Sequence, residues 1–334
     1  MRGATRAASV GGMSYGLAAR FSRILVTGAA GQVGADLVPV LRAELGAENV
    51  IAAGNRTPLP EDMRSGGPCT TIDATDRQAL RDAIRTHRVD AVCHLSSLLS
   101  ARGEAEPDRA WDVNLVSLKH VLDLGVELSL RQVFWPSSIA VFGPTTPRDD
   151  TPQRTILEPG TMYGVTKLAG ETLCGYYARR HGLDVRSIRY PGLLSYRAFS
   201  GGGTTDYAVE IFFAAKREGR YTCFVGPDTV LPLLYIDDAI RGTLQLMAAD
   251  PAALTVRTSY NMGGLAFSAA ELAAEVARHV PGFECRYAPD FRQGIAESWP
   301  RRIDDSVARR DWGWAPRTGL EDLARIMFRG IASG

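Results

Sequence analysis

Short apolar runs alternate with segments of helical hydrophobic spacing over the first 190 residues. Each run ends in polar or glycine-rich residues, as expected for a strand buried on both faces. Between the runs, apolar residues recur at intervals of three and four, the spacing of a helix with one buried face. This alternation predicts an α/β fold, a Rossmann doubly wound parallel sheet with helices on both faces. The predicted strands are residues 23–28, 49–53, 70–73, 91–95, 132–135 and 184–190, and the main predicted helices are residues 37–45, 77–88, 110–130 and 163–177.

The pattern loosens after residue 190, where shorter apolar runs are separated by polar loops. A chain of 334 residues is long enough for two domains. We therefore expect a dinucleotide-binding core over residues 23–190. A smaller, mainly substrate-binding C-terminal lobe, interleaved with the core, is expected over residues 191–330.

Residues 1–22 differ from the rest of the chain. Arg2, Arg6 and Arg20 stand among alanine, serine and glycine, and the first acidic residue is Asp36. An arginine-bearing segment without acids resembles a mitochondrial transit peptide. We expect a leader and a mitochondrial location; the alternatives are a short disordered extension and a cytoplasmic protein.

The segment Gly28-Ala-Ala-Gly31-Gln-Val-Gly34 joins the first predicted strand to the first predicted helix. Glycine permits a tight turn and a close backbone approach, and the amides at the start of a helix attract a pyrophosphate. A strand, a glycine-rich turn and a helix in this order predict a dinucleotide site. The spacing is GxxGxxG and not GxGxxG, and a plain strand-to-helix turn is the alternative.

The second predicted strand ends at Gly54-Asn55-Arg56, where such folds usually carry an acid that binds the adenosine ribose. Without that acid, Arg56 leaves room for the 2′-phosphate of NADP; alternatively, Asn55 binds the ribose and Arg56 lies in solvent. Asp73 ends the third predicted strand, where its carboxylate can accept a hydrogen bond from the adenine amino group. Its alternative role is to cap the helix that follows.

The stretch Tyr163-Gly-Val-Thr-Lys167 is the main candidate for catalysis. Residues four apart lie on one face of a helix, so the ammonium of Lys167 can lie beside the phenol of Tyr163. A free phenol has a pKa near ~10, and a nearby positive charge lowers it by favouring the phenolate. The pair therefore predicts a general base that takes a proton from an alcohol. The alternative is an ordinary amphipathic helix.

Two polar residues are candidate partners of Tyr163. Ser138 follows the fifth predicted strand and can orient a substrate hydroxyl, although serine is also a common turn residue. Asn114 lies within a predicted helix, where asparagine is at best neutral. It belongs either to a polar relay beneath the active site or to an exposed face. The glycine-rich loop 201–203 is either a hinge that closes on substrate or a crossing loop.

Composition argues against several classes of protein. The formal net charge is +1, which gives no general attraction to nucleic acid or to an anionic membrane. No apolar run reaches the length of a membrane-spanning helix. The five cysteines are scattered, without a CxxC pair or a histidine cluster at ligand spacing, so we expect neither a disulfide framework nor a metal site.

The glycine turn, Asn114, Ser138 and Tyr163-x-x-x-Lys167 occur in this order along residues 23–330, which resemble the extended short-chain dehydrogenase/reductase superfamily. The segment Leu233-Leu-Tyr-Ile-Asp237-Asp238 is similar to its sugar-nucleotide epimerase branch. A narrower resemblance is to the short-chain type of L-threonine 3-dehydrogenase. It is carried by Arg189-Tyr-Pro-Gly-Leu-Leu-Ser-Tyr196, Gly202-Gly-Thr-Thr-Asp-Tyr-Ala208, Tyr221-Thr-Cys-Phe224, Ser298-Trp-Pro300, Ile303-Asp-Asp-Ser306 and Asp311-Trp-Gly-Trp314.

This resemblance implies oxidation of the L-threonine hydroxyl with NAD, without a metal. The product, 2-amino-3-oxobutyrate, loses carbon dioxide to give aminoacetone or is cleaved to glycine and acetyl-CoA. Tyr163 is then the base, Lys167 tunes it and holds the nicotinamide ribose, and Ser138 fixes the substrate hydroxyl. The resemblance also implies a homodimer paired through the helices of Asn114 and Tyr163. The alternatives are a sugar-nucleotide epimerase or dehydratase, and a dinucleotide-sensing protein without turnover.

The resemblance also implies two sets of binding residues. The cofactor set is Gly28, Gly31, Gln32, Val33, Gly34, Asn55, Arg56, Asp73, Ala74, Leu95, Ser96, Ser97, Asn114, Tyr163, Lys167, Tyr190, Pro191 and Leu193. The substrate set is Ser100, Ser138, Tyr163, Gly202, Thr204, Thr205 and Trp299.

Overall fold

A seven-stranded parallel sheet forms the centre of the molecule. The structure, a computed structural model, describes residues 14–197 and 203–332. The strands of this sheet are β1 (Ile24–Thr27), β2 (Val50–Gly54), β3 (Cys69–Thr71), β4 (Ala91–His94), β5 (Gln132–Ser138), β6 (Val185–Tyr190) and β10 (Tyr260–Asn261). Their order is β10-β6-β5-β4-β1-β2-β3, and every neighbouring pair is parallel. The predicted α/β doubly wound fold is confirmed.

Both faces of the central sheet are buried. Ile24 and Val26 of β1 pack into one apolar cluster, and Leu25 between them packs into a second cluster. Side chains alternate between the faces of a strand, so a sheet covered on both sides needs a continuous apolar run. The helices are α1 (Leu17–Arg20), α2 (Gln32–Leu45), α3 (Glu61–Ser65), α4 (Arg77–Thr86), α5 (Ser100–Ala105), α6 (Pro107–Trp111), α7 (Ser117–Glu127), α8 (Met162–His181), α9 (Tyr207–Glu218), α10 (Ile236–Ala248), α11 (Ala269–His279), α12 (Phe291–Glu297), α13 (Ser306–Trp312) and α14 (Leu320–Ala332).

Two small sheets belong to the C-terminal part of the chain. Their strands are β7 (Gly192–Leu194), β8 (Arg220–Cys223), β9 (Val230–Tyr235), β11 (Leu265–Ser268) and β12 (Glu284–Tyr287). The first sheet has the order β11-β9-β7, and the second pairs β12 with β8. Strand β10 also comes from this part of the chain but extends the central sheet, so the two parts interleave.

Helix α1 lies within the segment that the sequence assigned to a leader. Leu17 is 0% exposed and Phe21 is 4% exposed, and both join the apolar cluster that contains Ile24. The carboxylate of Glu44 accepts hydrogen bonds from the amides of Tyr15 and Leu17, at 2.7 and 3.3 Å. The packed core therefore extends to residue 17, before the predicted start at residue 23.

Three further observations concern the residues that the structure describes. All five cysteines are free thiols. No helix in ranges 14–197 and 203–332 is both long and apolar enough to cross a membrane. Nor do these ranges contain three or more His, Cys, Asp or Glu side chains grouped so that they could hold a metal ion.

Candidate active site

A cleft of about 260 Å³ opens where the carboxyl ends of β1, β4, β5 and β6 meet. The strand order changes direction between β1 and β4, and doubly wound sheets bind ligands at such a switch point. The cleft thus collects residues from distant parts of the chain. It is lined by Gly28, Gly31, Gln32, Val33, Gly34, Leu95, Ser97, Leu99, Ser100, Pro136, Ser137, Ser138, Ile139, Tyr163, Lys167, Tyr190, Pro191, Gly192, Leu193, Gly203, Thr204, Thr205, Asp206 and Trp299.

The turn between β1 and α2 has the shape that a pyrophosphate needs. Gly28 has a φ of 67°, and a Cβ there would lie 2.8 Å from the carbonyl carbon of Leu95. A Cβ on Gly34 would lie 2.6 Å from the Gly28 oxygen. Glycine at these two positions lets the first turn of α2 face the cleft, and the first amides of a helix have no partner within the helix. The residues present therefore fit a dinucleotide.

Asn55, Arg56 and Asp73 lie together beyond β2 and β3 and do not line the cleft. Asp73 accepts hydrogen bonds from the amide and hydroxyl of Thr75, at 3.0 and 2.7 Å. Those bonds, a bond from Asn55 and the charge of Arg56 hold the pKa of Asp73 below its ordinary value. The alternative capping role is wrong, because Asp76 accepts from the amides at the start of α4. A carboxylate beside Arg56 disfavours a 2′-phosphate at this corner.

Helix α8 packs directly against the backbone that follows β5. The helix begins after Thr161, whose hydroxyl accepts from the amide of Gly164. A Cβ on Gly164 would lie 2.2 Å from the carbonyl oxygen of Ala140. Glycine at this position permits the close approach that brings Tyr163 to the end of β5.

Tyr163 and Lys167 lie one turn apart on α8, and both line the cleft. Nζ of Lys167 lies 5.4 Å from the centre of the Tyr163 ring and donates a 2.6 Å hydrogen bond to the carbonyl oxygen of Pro136. Burial lowers the pKa of Lys167 to about 7, while the thiol of Cys174 and the carboxylate of Glu171 act in the opposite direction. The ammonium is therefore held by a backbone carbonyl on β5.

The pKa of Tyr163 departs from the prediction. Burial raises the pKa of the phenol to about 12, and a hydrogen bond with Ser138 partly counters this effect. The expectation that Lys167 brings the pKa below that of a free phenol is wrong in this structure. Removing the phenolate from water raises its free energy, and Nζ of Lys167 lies beside the ring and bonds the Pro136 carbonyl.

Ser138 is the last residue of β5 and lines the cleft beside Tyr163. Its oxygen accepts a 3.2 Å hydrogen bond from the amide of Ala140. The same side chain lowers the pKa of the Tyr163 phenol. A hydroxyl fixed in this way can align a substrate hydroxyl or carbonyl with the phenol.

Asn114 is buried in a π-helical turn, Asp112–Val116, that interrupts the predicted helix 110–130. Its amide oxygen accepts from the Leu98 amide at 2.7 Å, and its Nδ2 donates to Thr166 at 3.1 Å. Thr166 in turn donates to the carbonyl oxygen of Tyr163. The exposed alternative is wrong. Asn114 does not line the cleft; it connects the loop after β4 to α8.

The predicted substrate residues reach the cleft from three segments. Ser100 at the start of α5 is 4% exposed, Thr204 is 2% exposed and Trp299 is 6% exposed, and all three line the cleft together with Thr205. Gly202 lies outside the described residues. Of the predicted cofactor residues after β4, Leu95 and Ser97 line the cleft and Ser96 does not.

Three groups that contact the site residues were not identified from the sequence. The Pro136 carbonyl that holds Lys167 is a backbone atom, so no residue type marks it. Ser137 donates a 2.6 Å hydrogen bond to Glu171, and both side chains are 2% exposed. Glu171 stands four residues after Lys167, a spacing that could have marked it, but its burial is a tertiary property.

Fold and site together define a dinucleotide-dependent enzyme, and the chain belongs to the NAD dependent epimerase/dehydratase family, which it matches over residues 24–263. It is 44% identical over 310 residues to an uncharacterized epimerase/dehydratase of Staphylococcus haemolyticus, covering 92% of this chain and 97% of that protein. It resembles a GalE-like L-threonine dehydrogenase from Cupriavidus necator in the holo form, with a TM-score of 0.89, 47% identity and coverage of 92% of this chain and 99% of that one. A partial consensus L-threonine 3-dehydrogenase matches with a TM-score of 0.91 and 47% identity over 93% of this chain and 100% of that one. The predicted family is confirmed, and the cofactor is NAD, as predicted.

The predicted mitochondrial location is wrong. The Staphylococcus and Cupriavidus relatives are bacterial, and bacteria have no mitochondria. In addition, Leu17 and Phe21 of the predicted leader are core residues. The cytoplasmic alternative agrees better with these relatives.

Proposed function

We propose that this enzyme oxidises the hydroxyl of L-threonine with NAD to give 2-amino-3-oxobutyrate. The main support is the group formed by Ser138, Tyr163 and Lys167, which faces a small pocket walled by serine and threonine hydroxyls and by Trp299. The similarity to solved L-threonine dehydrogenases supports the same substrate.

The charges of the cleft favour a small zwitterion over a sugar nucleotide. Among the described residues that line it, the charged ones are Lys167 and Asp206, and none is an arginine. A nucleotide diphosphate would need cations in the second lobe. An amino acid needs donors for its carboxylate and acceptors for its ammonium, and hydroxyls with backbone amides supply both without a buried charge. The sugar-nucleotide epimerase alternative is therefore the weaker candidate.

The chain's own groups handle the proton of the reaction. NAD, which Gly28, Gly31 and Gly34 would hold at the start of α2, would supply the acceptor for the hydride of the substrate β-carbon. Ser138 aligns the substrate hydroxyl, and the phenolate of Tyr163 accepts its proton. Lys167, fixed by the Pro136 carbonyl, keeps a positive charge beside the Tyr163 ring when it is protonated.

The proposal is tested by mixing the purified protein with NAD and L-threonine and following NADH by absorbance. L-allo-threonine and L-serine are the matched substrates, and NADP is the matched cofactor. We expect NADH with L-threonine, and aminoacetone as the product that accumulates. A protein that binds NAD but forms no NADH with L-threonine would contradict the proposal. A thermal shift caused by UDP-sugars and not by L-threonine would support the epimerase alternative.

A further inference from the structure

The loop that carries Trp299 is hydrogen-bonded to the segment that contains Arg148. Nε of Arg148 donates a 3.0 Å hydrogen bond to the Trp299 carbonyl oxygen, and the amide of Arg301 donates a 2.7 Å bond to the carbonyl of Arg148. Thr151, which is 0% exposed, pairs with Ile303 in a parallel bridge. Residues 148–151 and 299–304 therefore form a short ladder.

Asn261 joins this ladder to the central sheet. It lies at the end of β10 and is 0% exposed. Its Nδ2 donates to the carbonyl oxygens of Thr151 and Asp304, both at 3.1 Å. The Asn261 side chain is thus hydrogen-bonded to both segments of the ladder.

The side-chain oxygen of Asn261 is connected to the catalytic helix through a buried arginine and a buried glutamate. Its Oδ1 accepts a 3.0 Å bond from Arg189, which is 3% exposed. Arg189 forms two further bonds, of 2.8 and 2.7 Å, with the carboxylate of Glu171. Glu171 lies one turn after Lys167 on α8. A continuous buried polar chain therefore connects the catalytic helix with the Trp299 loop.

We propose that Arg148 and Asn261 are positioning residues that hold Trp299 against the substrate end of the cleft. The indole of Trp299 lines the cleft, while its carbonyl is tied down from outside by Arg148. Because a tethered loop loses less freedom when a ligand binds, these contacts increase affinity for the substrate and leave the chemical step unchanged. The inference rests on the proposed function only for the identity of that substrate.

The test compares Arg148→Ala with the matched variant Arg302→Ala. Arg302 lies on the Trp299 loop and forms an ion pair with Asp150 of the Arg148 segment, but both partners are exposed, and such pairs contribute little. Loss of one hydrogen bond predicts a rise in the KM for L-threonine of about 2–10-fold in Arg148→Ala. We expect kcat and the Kd for NAD to stay at the wild-type values, and Arg302→Ala to behave like wild type. Should Arg148→Ala fail to fold, Arg148→Gln takes its place.

A second readout does not depend on turnover. Hydrogen–deuterium exchange in the peptide covering residues 299–304 should be faster in Arg148→Ala than in Arg302→Ala, with or without NAD, while residues 163–171 exchange as in wild type. Equal exchange and equal KM in the two variants would overturn the inference. If the wild-type enzyme does not oxidise L-threonine, the proposed function fails, and the exchange result still decides the role of Arg148.

Discussion

Ser138 at the end of β5 lies close enough to Tyr163, in the first turn of α8, for its hydroxyl to lower the pKa of the Tyr163 phenol. The contact depends on Gly164, where any side chain would meet the Ala140 carbonyl and push the helix away. The Ser138 hydroxyl lowers the pKa of Tyr163 and so opposes burial, which raises that pKa. In the proposed mechanism, the alignment of the substrate and the pKa of the base thus depend on the same hydroxyl.

Replacing Tyr163 with phenylalanine removes the general base and preserves the packing of the ring. We expect kcat to fall by ~10²–10⁴-fold, the usual contribution of a positioned base, with the Kd for NAD unchanged. Steady-state NADH production and a separate NAD titration measure the two quantities. Turnover at the wild-type level would refute the role assigned to Tyr163.

Replacing Ser138 with alanine should move the pH dependence of kcat/KM to higher pH. Burial raises the pKa of Tyr163 to about 12 and the Ser138 bond lowers it, so loss of the bond raises it further. In the proposed mechanism the phenolate is the active form, so activity at a fixed, mildly alkaline pH should fall about 2–10-fold, the usual contribution of one hydrogen bond. Ser138→Thr keeps the hydroxyl and should retain the wild-type profile. A shift to lower pH in Ser138→Ala would contradict this account.

Gly54→Asp tests the adenosine end of the site. Gly54 ends β2, and a Cβ there would lie 3.0 Å from Cγ of Leu59, so that side chain must move slightly. The added carboxylate lies next to Asn55 in the chain and should repel a 2′-phosphate, raising the ratio of kcat/KM for NAD to that for NADP on the order of tenfold. Gly54→Asn has nearly the same size without the charge. Equal ratios in the two variants would show that this strand end does not select the cofactor.

The predicted homodimer has a candidate surface on α6 and α8, which pack together. Trp111, Val165 and Tyr176 are 44%, 39% and 49% exposed, although all three are large and apolar. We expect light scattering to give a dimer for the wild type and a monomer for Val165→Glu, because a charge buried in an apolar interface is unfavourable. Phe291→Glu, which changes an exposed aromatic residue on α12, should leave the dimer intact. A monomeric wild type would exclude the predicted dimer.

The sequence by itself determined the features that depend on neighbours along the chain. Continuous apolar runs indicated a sheet covered on both faces, so the strands near Ile24 and Val50 were predictable. The glycine spacing after β1 predicted the dinucleotide turn. The four-residue interval between Tyr163 and Lys167 put both side chains on one helical face. Each of these is a local property, set by helix and strand geometry.

Only the tertiary structure decided features that depend on burial and on contacts between distant segments. Lys167 is held by a carbonyl of β5, and burial sets the pKa of Tyr163, whatever the residue spacing along α8. Arg148 bonds the Trp299 carbonyl across about 150 residues of chain, and Asn261 at the end of β10 bonds Thr151 and Asp304 beside it. Burial from solvent and contacts between distant segments arise only when the chain folds. The pattern of residues along the chain therefore does not predict them.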